Sequence, residues 1–288
     1  MALEYLTSGA TDMNDGSWIV AAGTPGSGFA AGGTFVVSSG NQTITGRDYS
    51  ASANNLLSMR IEKPFTGNIG TAAAPLICTF TDGSTSSQKT SANTEGYFYY
   101  GAGGGTCFLK ADSTGAASIN DTFDNLIIDT AGFCGWIGGT AVFLDLINGT
   151  CQVNAAGSVT TANVRNGTLT IDAKSSGANV TTLNVYGGTV FVSRPVVTIN
   201  VYGGTVIMSN TTTTATTTVN QYGGNVIWLS GDITTINQYQ GAFDFSGLQR
   251  ASTFTTWNRG PLATRKGTLL NGQLTVTNDI AVPISGAA

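Results

Sequence analysis

The chain contains no histidine among its 288 residues. Catalysis through an imidazole, and metal binding through one, are thereby excluded. Charge is scarce too: Asp, Glu, Lys and Arg make up 10% of the sequence, against about a quarter in an ordinary soluble domain. The formal net charge is −4 and no basic stripe offsets it, so no nucleic-acid partner is expected. No apolar run approaches the roughly 20 residues that cross a bilayer, and no membrane partner is expected either. The opening MALEYLTSGATDMNDG lacks a basic stretch followed by an apolar one, which predicts synthesis in a cytoplasm without a signal peptide. Cysteine occurs only at 78, 107, 134 and 151, without C-x-x-C spacing, and reads as buried reduced thiol. Neither a cofactor nor a metal site is indicated.

Apolar residues reach an ordinary 41%, with 39 glycines and only 6 prolines. Low charge with ordinary hydrophobicity does not describe a disordered chain, which needs high net charge and little apolar matter. It describes a β-rich protein whose faces carry Thr, Ser and Asn.

The stretch NVYGGTVFV at 184–192 returns as NVYGGTVIM at 200–208, NQYGGNVIW at 220–228 and NQYQGAFDF at 237–245. Anchored on the last glycine of each corner, the copies fall at Gly149, Gly167, Gly188, Gly204, Gly224, Gly241 and, more weakly, Gly260. Their spacings are 18, 21, 16, 20, 17 and 19 residues, with looser copies at Gly33, Gly105, Gly139 and Gly272. A unit of 16–21 residues is too small to bury its own apolar face and must stack on its neighbours. Neither leucine-rich repeats nor strict hexads are present. The reading is an all-β fold, a single-stranded parallel β-helix of right-handed sense.

Two residues after the anchor stand Cys151, Leu169, Val190, Val206, Val226 and Phe243; four after it stand Val153, Ile171, Val192, Met208, Trp228 and Phe245. Five before it lie Leu144, Ala162, Leu183, Ile199, Val219 and Ile236. These three columns alternate as strands with one face inside require. Asn163, Asn184, Asn200, Asn220 and Asn237 recur four before the anchor, as a ladder of stacked amides would. The Gly-Gly pairs lack the Lys-Ser/Thr of a phosphate loop and read as corners.

Two before the anchor come Arg165, Tyr186, Tyr202, Tyr222 and Tyr239. One coil apart, the tyrosines would lie roughly 4.8 Å from each other. They could form a stabilising ladder, a subunit seam or a glycan platform. The outward column three after the anchor reads Gln152, Thr170, Phe191, Ile207, Ile227, Asp244. Its middle is a patch of the kind a soluble monomer seldom leaves bare. It predicts oligomerisation, unless the Thr-rich run at 211–218 folds over it.

Acids are few. Asp172, Asp232 and Asp244 are the only ones between 146 and 246, and Asp121, Asp124 and Asp129 form a second group. All read as turn residues rather than as catalysts or a calcium site. Arg250, Arg259, Arg265 and Lys266 gather with no acid between Asp244 and Asp279, a candidate docking face. The chain thus reads as an arm (1–30), irregular first coils (31–145), regular coils (146–276) and a closing tail (277–288).

The NVYGG-T-V-x-V rungs, the Asn column and the Gly/Thr/Ser-rich, low-charge surface together resemble the β-helical, tailspike-like virion proteins of tailed bacteriophages. Tailspikes in that group are trimers that bind and often cleave surface polysaccharide, usually with acids in a groove. Head decoration proteins in it are trimers that cement adjoining capsomers. This chain is short for a tailspike and poor in acids. The resemblance therefore implies a non-enzymatic homotrimer on the capsid surface, partnered by the major capsid protein. A tailspike or fibre that binds surface glycan is the alternative, and a non-viral adhesin or surface-layer protein a more distant one.

Overall fold

The computed structural model describes residues 3–5, 19–20, 34–37, 40–41, 43–44, 58–78, 97–111, 122–173, 180–267 and 273–281. The arm at 1–30 and the copies at Gly33 and Gly272 lie largely or wholly outside them; of the tail at 277–288 only 277–281 is described, as the end of the strand Leu274–Ala281. Among the described residues there is no helix; parallel strands stack into a β-solenoid. The chain divides into two compact units, Met1–Val159 and Thr160–Ala288.

In the second unit one ladder runs through seven strands: the end of Gly157–Val164, Val180–Val185, Val196–Val201, Thr216–Gln221, the starts of Ile233–Asp244 and Ser252–Lys266, and Leu274–Ala281. Its register sets Asn184, Asn200, Asn220, Asn237 and Asn258 on successive rungs. A second ladder places Leu169, Val190, Val206, Val226, Phe243 and Arg265 in one column. The inward columns of both ladders are buried, from Leu169 and Ala162 to Phe243 and Ile236. The tube therefore fills by stacking like on like, as the period-2 alternation dictates.

The corner between the two strands of a coil explains the glycine pair. Gly188, Gly204 and Gly224 have φ of 71°, 68° and 63°, a conformation that L side chains rarely adopt. The glycine before each is needed for another reason. A Cβ on Gly187, Gly203 or Gly223 would lie 2.3, 2.4 or 2.5 Å from the carbonyl oxygen of Arg165, Tyr186 or Tyr202 in the coil below.

Gly260 is not a corner of this kind. The register puts Ala263, not Gly260, beside Gly241, because the ladder shifts between Gln238 and Gln240. Gly139 departs as well: its φ is 80°, but Phe143, four residues on, is 45% exposed. Gly139 instead turns the chain after Trp136, whose indole donates to the Gly139 carbonyl at 3.1 Å. Trp228 and Gly231 make the same turn at 2.8 Å.

The last coils of the second unit are aromatic inside. Trp257 lies 5.0 Å from Phe243, 5.7 Å from Phe254 and 6.0 Å from Phe245, ring centre to ring centre. Above it the inward columns turn ionic. Arg265 follows Phe243 and Asp279 follows Trp257 in register. The Arg265 guanidinium sits 3.8 Å from the Trp257 ring centre and bonds Asp279 at 2.7 Å. Among the described residues the Trp257 ring is thereby covered by a charged pair.

The first unit stacks in parallel too. Val37, Ile61, Tyr100 and Ile128 are successive partners in one ladder. Ile44, Ile69, Cys107 and Cys134 are successive partners in another. All eight side chains are buried.

Candidate interaction surface

Outside the second unit three features run along the coils: an amide row, an aromatic row and an apolar stripe. The amide row is continuous. Asn184 donates to Asn163 at 2.9 Å, Asn200 to Asn184, Asn220 to Asn200 and Asn237 to Asn220 at 2.8 Å each. Asn258 extends it, donating to Asn237 at 2.8 Å. Counting from Gly260 hides Asn258, since the register shift breaks the fixed offset from the anchor. Each half-buried amide bond of this kind adds about 1 kcal/mol.

The aromatic row is a face-to-face stack. Tyr186, Tyr202, Tyr222 and Tyr239 have ring centres 4.9, 5.0 and 5.0 Å apart and planes within 6°, 7° and 7° of parallel. Arg165 closes one end, its guanidinium 5.7 Å from the Tyr186 ring centre. Between neighbours the ring faces are thus taken up by one another, which leaves a glycan no open face there on which to stack. Burial, together with the flanking Tyr239 and Tyr202, pushes the Tyr222 phenol up.

The apolar stripe consists of Phe191, Ile207 and Ile227, in register on adjacent rungs, with Thr170 at one end and Asp244 at the other. Phe191 is 41% exposed, and both isoleucines are half-buried. The Thr-rich run is only partly a loop, because Thr216–Gln221 is a strand. The remainder is held by Asn210, which accepts from the Thr212 amide at 2.9 Å and donates to the Thr214 carbonyl at 2.9 Å.

The four basic residues are drawn into local contacts. Arg259 and Arg265 both bond Asp279, at 2.6 and 2.7 Å, and Arg250 donates to the Thr211 carbonyl at 2.7 Å. Lys266 stands beside Asp244 in register. Asp279 supplies from the next coil the acid that the intervening sequence lacks. Burial raises its carboxyl, but bonds from the two arginines outweigh this and hold it below the usual range.

Asp244 serves a turn, whereas Asp232 and Asp129 bond neighbouring coils. Asp232 accepts from the Thr253 amide at 2.7 Å. Asp244 accepts from the Ser246 hydroxyl at 2.7 Å and its amide at 2.9 Å, which holds that carboxyl below the usual range. A general acid needs the opposite shift. Asp129 accepts from the Tyr99 hydroxyl at 3.3 Å, while Asp121 lies outside the described residues. Among the described residues no three His, Cys, Asp or Glu side chains are placed to share a metal ion.

One charged residue escapes the column reading altogether. Arg194, at the corner after Val192, is fully buried, and burial pulls its guanidinium down to about 10 against the opposing pull of Asp172. The deviation lies in a loop, where no periodic offset marks it.

No protein-family model matches the chain, and neither does any curated protein or solved structure.

Proposed function

We propose that the chain is a non-enzymatic structural protein of a phage virion, a trimeric decoration protein that cements the head. The observation that carries this reading is the stripe of Phe191, Ile207 and Ile227, three large apolar side chains facing outward on adjacent rungs. A soluble protein covers such a surface with a partner, and identical copies bring identical stripes. Each Å² removed from water there contributes about 25 cal/mol. The trimer would bridge neighbouring capsid subunits, and binding only the assembled lattice would stabilise the particle by mass action. The acids support a binding role over hydrolysis, since Asp232 is occupied by the Thr253 amide of the next coil and Asp244 by the amide and hydroxyl of Ser246.

Two measurements test the reading. In sizing, Phe191→Asp with Ile207→Asp is expected to give a soluble monomer; an oligomer of unchanged mass would remove the stripe from the argument. In particle images the protein is expected on the head lattice, with the major capsid protein beneath it. Density at the tail, with oligosaccharides released from host polysaccharide and lost in Asp232→Asn or Asp244→Asn, would assign a tailspike instead.

A further inference from the structure

We propose that Cys107, Cys134 and Cys151 in the first unit form a site for a soft metal ion held in line between two stacked thiolates. Three of the four cysteines in the chain occupy one inward column on successive coils. Cys107 and Cys134 are register partners. The Asn154 amide bonds the Trp136 carbonyl at 2.9 Å, which sets Val153 over Trp136 and Cys151 over Cys134. The Cys134 and Cys151 thiols are hydrogen-bonded to each other. All three are fully buried and none is in a disulfide.

Packing alone does not call for sulfur here. The corresponding column of the second unit is filled by Leu169, Val190, Val206, Val226 and Phe243. What sulfur adds is ligation. Stacked side chains on parallel strands repeat every ~4.8 Å. A linear sulfur–metal–sulfur unit with bonds of about 2.3 Å spans roughly 4.6 Å, close to that repeat, and would replace the hydrogen bond between the two thiols. Among the described residues no group of three His, Cys, Asp or Glu side chains is placed to share an ion, which disfavours ions that require four such ligands.

Charge selects further. The column is fully buried, and an uncompensated charge inside it is costly. Two thiolates around a divalent ion are neutral, whereas around a monovalent ion they carry a net negative charge. The ion is therefore a divalent, two-coordinate, thiophilic one such as Hg(II). Binding forms two metal–sulfur bonds and releases two protons, with no change of oxidation state.

The test uses the full chain, unfolded under reducing conditions and refolded with one equivalent of mercuric chloride. It is then challenged with excess glutathione. One Hg per chain is expected to remain, with two sulfur neighbours by X-ray absorption and two fewer titratable thiols. Cys134→Val keeps an apolar residue in the column but removes the member shared by both stacked pairs, and should lower retention about tenfold or more. Cys107→Val and Cys151→Val each leave one pair and should retain the metal. Loss of Hg from the unaltered chain overturns the proposal. Equal retention by Cys134→Val overturns it as well, and so does a Cys134–Cys151 disulfide in place of bound metal.

Discussion

The two units stack coils by the same inward alternation but use different lengths of chain for each turn. In the first unit the partners Val37, Ile61, Tyr100 and Ile128 are 24, 39 and 28 residues apart. In the second, the Asn rungs at 163, 184, 200, 220, 237 and 258 are 21, 16, 20, 17 and 21 apart. Both use a glycine corner: Gly105 has φ of 79°, and a Cβ there would lie 2.0 Å from the Gly67 carbonyl oxygen. Among the described residues only the second carries amide and phenol rows. In the first, among the described residues, the nearest equivalent is Asn68, which accepts from both the amide and hydroxyl of Thr106 at 3.0 and 2.9 Å. Inward order therefore needs only strand alternation, whereas outward ladders need short coils that bring the same residue over itself.

That contrast can be broken at its strongest point first. Trp257→Ala empties the aromatic end of the second unit and removes the ring beneath Arg265. A loss of about 3–5 kcal/mol is expected, read by urea unfolding followed by circular dichroism. An effect under about 1 kcal/mol would mean that the charged pair holds without its core.

Next is the corner. Gly204→Val forces a β-branched residue to φ 68°, with its Cβ built 2.5 Å from the Gly188 carbonyl oxygen. About 2–4 kcal/mol should be lost in the same assay. Gly104→Ala in the first unit meets nothing within 4 Å and should stay within about 0.5 kcal/mol. Equal costs at the two sites would refute the account of the corner.

The amide row gives smaller effects. Asn200→Ala removes two side-chain bonds and should cost about 1–2 kcal/mol. Asn163→Ala removes the single bond from Asn184 and should cost about half as much. A reversed order would show that the row is not additive in this way.

The smallest effect concerns the charged pair. Asp279 has a folded pKa below its ordinary 3.8, so its contribution is present above that value and fades as pH falls below it. Its side chain is 35% exposed, which keeps the contribution small. Asp279→Asn should lower Tm at pH 7 and narrow the gap from the unaltered chain by pH 3. A gap independent of pH would assign the effect to packing.

Much of the second unit was legible in advance because its rules are local. Alternation of Val190, Phe191 and Val192 assigns in and out within one strand, and the glycine corner marks where each strand stops. The same logic misplaced Gly260 and Gly139, where a register shift and a tryptophan turn break the fixed offset. Arg194 was invisible because nothing periodic marks a corner loop.

The amino-acid sequence by itself determined the coil period, the inward columns and the Asn and Tyr rows, since each follows from repeated residues at near-constant spacing. Tertiary structure alone decided which coil lies against which residue. It placed Asn258 on the amide row, Asp279 between Arg259 and Arg265, and three cysteines in one column. The physical reason is that contacts between coils depend on loop length and bulges, and a single shifted residue exchanges every partner across a rung.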